Sequence, residues 1–287
     1  MQNKLSHISK YDIILITGDN FVDHPSYGSA IIFKVLEKQG FKVGIISQPD
    51  YTNINDFTKL GKPRLFFGIT SGHTDSMIAN YSANKNPRDH KKIIPDKAVL
   101  VYANKIKEAY KDTTIVLGGI EASLRRLAHY DYWDNKVKNS IIVDSRADFI
   151  VYGMGEAQIV EIAQRLDNGE PANEINNVRG AVIARNNIDF LDNYIALPSN
   201  DEIKKSKQKF NQAFVITQEN MNPFTAKPLV QGHGNRYVIQ LPPSMPLTAK
   251  EMDSIYDLNY TRNNSPDVVK FSITAHRGCC GACSFCS

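Results

Sequence analysis

Strand-length apolar runs alternate with stretches of helical periodicity over the first 166 residues. Tyr11 to Thr17 (YDIILIT) predicts a buried parallel strand that stops at Gly18-Asp19. Within Ser29 to Gln39, Ile31, Ile32, Val35 and Leu36 recur at helical spacing, and Gly40 supplies a stop. Lys42 to Ser47 predicts the next strand and completes a βαβ unit. The alternation continues with strands over 64–70, 114–117 and 148–152 and helices over 96–110 and 156–166. Beyond Asp167 it weakens. A small β element is expected around Val182-Ile183, a helix over 200–217, and an extended, proline-rich segment over 222–246. Val268 to Thr274 (VVKFSIT) predicts one more strand.

Strands alternating with helices imply an α/β fold, a Rossmann-like parallel sheet covered by helices on both faces. Ligands of such sheets bind beyond the carboxyl ends of the strands, where this chain places glycine or small polar residues. The expected organisation is a Rossmann-like domain over 1–190 and a linker or wrapping segment over 191–265. The first strand and loop of a further unit follow over 266–287.

Composition is that of a globular protein, with 42% hydrophobic and 22% charged residues. The formal net charge of +4 is too small and too dispersed to indicate a nucleic-acid surface. Lys204, Lys205, Lys207 and Lys209 put a basic face on one predicted helix, which a solvated surface explains as well as a binding role. The first ten residues lack the apolar core of a signal peptide, and the apolar runs are far shorter than the roughly 20 residues of a membrane span. A cytoplasmic location is expected.

Cysteine placement changes the picture most. All four cysteines fall between Cys279 and Cys286, in the run RGCCGACSFCS. A disulfide framework would scatter them, so the cluster reads as a metal site. Cys279, Cys283 and Cys286 are spaced so that one short loop wraps three corners of a four-iron cube, leaving one iron without a protein ligand. The open iron suits S-adenosylmethionine (SAM), which offers an amino and a carboxylate group. One-electron reduction would then release methionine and a 5′-deoxyadenosyl radical. A zinc knot is the competing reading, with His276 or Cys280 as fourth ligand. Phe285 either packs or stacks near an adenine.

Other residues carry weaker chemistry. Gly118-Gly119, followed by Glu121, either admits a ligand closely or ends a strand. Gly153-x-Gly155-Glu156 opens a helix whose N–H groups suit an anion, without the full dinucleotide fingerprint. Asp23-His24-Pro25-Ser26-Tyr27-Gly28 departs from the Asp-x-His-x-x-Gly spacing of a cobalt-ligating loop, which favours His24 as a loop or substrate-site residue. Arg125 to Trp133 (RRLAHYDYW) reads either as a buried aromatic helix end or as a substrate or interdomain surface.

The chain resembles the YgiQ family of radical SAM proteins. The resemblance rests on GGIEASLRRLAHYDYWDNKV (118–137), DSRADFIVYGMGE (144–156), HGNRYVIQLPPSMPLT (233–248) and FSITAHRGCCGACSFC (271–286). It implies an N-terminal domain similar to cobalamin-binding Rossmann-like domains, then a radical SAM partial (β/α) barrel of which little is contained here. It implies a [4Fe-4S] cluster on Cys279, Cys283 and Cys286, SAM on its open iron, and a reductant such as flavodoxin or ferredoxin. Gly118, Gly119, Glu156 and Phe285 are the expected cofactor-contacting residues. The substrate is unknown. A non-catalytic Rossmann-like module with a structural zinc knot is the alternative, and a cobalamin carrier rests on fold analogy alone.

Overall fold

The computed structural model describes residues 10–88, 94–263, 265–275, 277, 278 and 281. The first βα units are β1 (Ile13–Thr17), α1 (Gly28–Lys38), β2 (Val43–Ser47), α2 (Ile54–Thr58), β3 (Phe66–Thr70) and α3 (Ser76–Asn80). Next come α4 (Ala98–Ala109), β4 (Thr114–Leu117), α5 (Gly119–Leu124), the small strands β5 (His129–Asp131) and β6 (Lys136–Lys138), and α6 (Ile141–Ser145). Then follow β7 (Phe149–Val151), α7 (Glu156–Asp167), β8 (Ala181–Arg185), β9 (Ile195–Leu197), α8 (Asn200–Lys205) and α9 (Lys207–Glu219). The hairpin β10 (Leu229–His233) and β11 (Arg236–Gln240), α10 (Ala249–Tyr256) and α11 (Asp267–Lys270) complete the described elements.

One nine-stranded sheet runs in the order β2-β1-β3-β4-β7-β8-β11-β10-β9. The first five strands are all parallel, with Leu15 beside Gly68 and Gly68 beside Val116. β8 then pairs antiparallel with β7 and with β11, β10 with β11, and β9 joins β10 in parallel. The expected α/β class and mostly parallel sheet are therefore present.

Strand alternation sorts the core into two layers, because successive side chains point to opposite faces. Ile13, Leu15, Phe66, Val116 and Phe149 face α1 and α7, whose Ile31, Val35, Ile159 and Ile162 cover them. Ile14, Ile16, Phe67, Ile115 and Ile150 face the other way, under Val99, Tyr102 and Ile106 of α4. Each such buried aliphatic or aromatic side chain contributes about 1.5–3 kcal/mol. With both faces covered, the strands read as continuous apolar runs. Among the described residues, no helix is long and apolar enough to cross a membrane.

Three expectations need correction. The stretch 191–265, expected to wrap as a linker, contributes β9, β10 and β11 to the same sheet, so the sheet runs unbroken across residue 190. The helix expected over 200–217 is two helices. Ser206 ends α8, and its side chain accepts from Lys209 N (3.3 Å) to start α9. The strand expected over 268–274 is instead the short helix α11 followed by unpaired chain. Pro266 (φ −53°) leads into a helical turn, and no described strand lies alongside to satisfy a ladder. Val268, Phe271 and Ile273 are left more than four-fifths exposed.

Candidate functional site

The loops at the carboxyl ends of β1, β3, β4 and β7 surround a crevice of about 220 Å³. It opens between β1 and β3, where the crossovers of a 2-1-3 strand order leave in opposite directions, the usual ligand position in such sheets. Leu15, Gly68 and Val116 form its floor, two residues before Thr17, Thr70 and Gly118 along the chain. Helices α1 and α7 form the opposite wall through Ile32 and Ile159. Seven of the chain's 17 glycines line it, so much of its surface is bare peptide.

Two of those glycines are forced by close contacts. Gly72 sits at φ +110°, and a Cβ there would fall 2.2 Å from the Asp19 carboxyl carbon. Its absence lets Asp19 Oδ2 accept from His73 N (2.6 Å) and pair with His73 Nδ1. A carboxylate only accepts, so Nδ1 carries the hydrogen of this pair. Tyr27 stands edge-on to the His73 ring, with centroids 6.1 Å apart. Gly119 sits at φ +79°, and a Cβ there would fall 2.4 Å from Thr70 Oγ1. The expected Gly118 and Gly119 thus both line the crevice, and Gly118 has room for a side chain at an ordinary extended φ of −154°.

Glu156 is the first residue of α7, where a carboxylate complements the helix dipole. It is buried and ion-paired with Arg277. Arg277 stands two residues before Cys279, so the chain entering the cysteine loop is pinned to the crevice rim. Further bonds hold this approach to the β1–α1 loop. Arg262 N donates to Asp23 O (2.9 Å), Thr261 N donates to Asp23 Oδ2 (3.0 Å), and Ser26 Oγ lies 3.3 Å from Thr274 Oγ1. Cys279, Cys280, Cys283, Phe285, Cys286 and His276 themselves lie outside the described residues. Among the described residues, no three His, Cys, Asp or Glu come together to hold a metal ion.

His24 is fully buried and lies off the crevice lining. Its Nδ1 accepts from Ser26 N (3.1 Å), its Nε2 has no hydrogen-bond partner, and burial lowers its pKa. It acts as a loop residue. The RRLAHYDYW block spends most of its polar groups on packing. Arg125 pairs with Asp75, Arg126 Nε donates to Gln240 Oε1 (2.8 Å), and Asp131 pairs with Lys97 (3.0 Å). Glu121 is fully buried and accepts from Ser76 N (2.9 Å) and Val99 N (3.0 Å), so one carboxylate ties the starts of α3 and α4 together. Burial raises its pKa, against the pull of Arg125.

His129 yields a pH prediction. Burial, helped by Arg125, lowers its pKa to about 4 from the ordinary histidine value of 6.5. The folded state therefore favours the neutral ring. Its contribution is complete above about pH 6.5 and is lost as pH falls toward 4. Between pH 7 and 5 the wild type should lose about 2 kcal/mol more stability than His129→Phe. Urea unfolding of both proteins at the two pH values measures this, and equal losses would refute it.

The fold is a doubly wound α/β domain with a crevice at its strand ends, and the sequence runs on from it into a cysteine-rich segment. The chain belongs to the family described as Radical SAM N-terminal, which matches residues 2–278, and so to the radical SAM superfamily. A UPF0313 protein of Clostridium botulinum (strain ATCC 19397 / Type A) is 48% identical over 99% of this chain and 47% of its own length. A UPF0313 protein of Methanocella arvoryzae is 48% identical over 96% of this chain and 49% of its own. One of Rhodopseudomonas palustris is 43% identical over 96% and 46%. The YgiQ resemblance is borne out by these relatives. The chain spans about half the length of the curated relatives it matches.

The sequence located Gly118, Gly119 and Glu156 at strand ends but missed Asp19, His73 and Arg277. Asp19 and His73 also follow strands, and that position was their signal. Their pairing across 54 residues is a product of the fold.

Proposed function

We propose that the chain is the N-terminal part of a radical SAM enzyme of unknown substrate. One observation carries this reading: the family match ends at residue 278, and the three-cysteine loop begins at Cys279. The donor set fits a cluster, since three closely spaced thiolates and the flexible Gly278 and Gly281 suit one short loop around an iron–sulfur cube. Cys279, Cys283 and Cys286 would hold [4Fe-4S], with SAM at the open iron and Phe285 near its adenine. When bound, the cluster supplies the electron that splits SAM into methionine and a 5′-deoxyadenosyl radical.

The protein's own part is placement and shielding. Glu156 holds Arg277, and through it the entry to the cysteine loop, at the mouth of the crevice. Gly118 and Gly119 leave the crevice wall open for a bound molecule. A flavodoxin or ferredoxin in a reducing cytoplasm is the matching electron source.

The test is anaerobic reconstitution with iron and sulfide of this chain within a protein of its relatives' full length, then reduction and addition of SAM. A four-iron electron-paramagnetic signal and 5′-deoxyadenosine are expected. Stoichiometric zinc without iron or sulfide would replace this reading with a structural knot.

A further inference from the structure

We infer that the crevice between β1 and β3 is a nucleoside site. Its shape selects a planar group. One wall is the sheet face, flattened by Gly68 and Gly118, and the other is the pair of helices α1 and α7. Its floor of Leu15 and Val116 is apolar, which suits a heteroaromatic ring. At about 220 Å³ it is small against typical ligand pockets of roughly 300–1,000 Å³, so it takes one base and sugar and not a dinucleotide.

The rim selects hydroxyls. Thr17 and Thr70 stand side by side at the strand ends, and the Asp19–His73 pair projects above them. Both hydrogen bonds to Asp19 described above fall on Oδ2, and an ionised carboxyl has about four acceptor positions. Asp19 Oδ1 therefore presents an acceptor and His73 Nε2 a second polar atom near it, which match the vicinal hydroxyls of a ribose, each able to donate and to accept.

The charges argue against a phosphate. Helix N-termini attract anions, and both α1 and α7 begin at this crevice. At α7, however, the first turn already carries the Glu156 carboxylate, a like charge to any phosphate. Arg277 is the cation among the described lining residues, and Glu156 holds it. Asp19 adds an acidic group at the mouth, which a phosphate would have to approach. An uncharged nucleoside avoids that repulsion.

The site does not depend on the cluster reading, and its test keeps the two apart. Adenosine, adenine and AMP are titrated calorimetrically into metal-free protein. Adenosine is expected to bind saturably with a Kd below about 1 mM, and AMP at least about fivefold more weakly. Asp19→Asn should weaken adenosine about fivefold while leaving adenine within about twofold, since only the sugar meets the carboxylate. Gly118→Val fills the slot at a position where an added Cβ meets Val151 O at an ordinary 3.8 Å, and should abolish binding with an unchanged melting temperature. If that variant does not fold, Gly28→Leu fills the same slot from α1, where an added Cβ meets nothing within 4 Å. Cys283→Ala should bind adenosine like the wild type. No saturable binding, tighter binding of AMP, binding that survives the filled slot, or loss of binding in Cys283→Ala would each overturn the assignment.

Discussion

Replacing Cys283 with alanine is expected to remove the iron–sulfur cluster and, with it, all cleavage of SAM. Cys283 is the middle thiolate of the proposed three, and its loss leaves two ligands for a cube that needs at least three protein anchors. Anaerobically reconstituted Cys283→Ala should retain less than about a tenth of the wild-type iron and sulfide, and 5′-deoxyadenosine should fall below detection. Cys280→Ala should keep both, because Cys280 is read as packing beside Cys279. Full cluster content in Cys283→Ala, or its loss in Cys280→Ala, would reassign the ligands. The sheet is built far from this loop in sequence, so both variants should melt with the metal-free wild type.

Glu121→Ala is the substitution with the largest expected effect on the fold itself. It strips the acceptors from Ser76 N and Val99 N, while Arg125 keeps Asp75 and the backbone carbonyl of residue 121. Each orphaned buried N–H costs about 1–3 kcal/mol, so a loss of about 3–4 kcal/mol is expected in urea unfolding. Glu121→Gln keeps one acceptor oxygen and should cost about half as much. A loss below about 1 kcal/mol in Glu121→Ala would show that water replaces the carboxylate at the two helix starts.

The parallel half of the fold was legible because both of its faces are covered. Continuous apolar runs such as IILIT and FFGIT leave little choice but a buried strand, and the expected 114–117 strand coincides with β4. The outer half was obscured by composition. Its prolines suggested a linker, yet LVQGHGNRYVIQ contains a hairpin, with His233 opposite Arg236 across Gly234-Asn235 and Gly234 at φ +61°. The two-residue Gly-Asn turn was the available signal. Val268 to Thr274 failed for the opposite reason. Its β-branched residues favour a strand, but propensity cannot supply a neighbouring ladder. At the crevice, strand-end glycines were visible, whereas the Asp19–His73 pair and the Glu156–Arg277 bridge join residues 54 and 121 positions apart.

The unbroken ladder from β7 through β8 to β11 has a consequence for truncation. Val182 and Ile183 of β8 are fully buried; Val182 has partners on both edges, Ile150 and Gln240, and Ile183 pairs with Ile239. Severed from β11, that strand would expose a raw, greasy margin eager to stick to its like. A truncation that removes β10 and β11 should therefore leave the crevice-bearing half prone to self-association rather than free-standing.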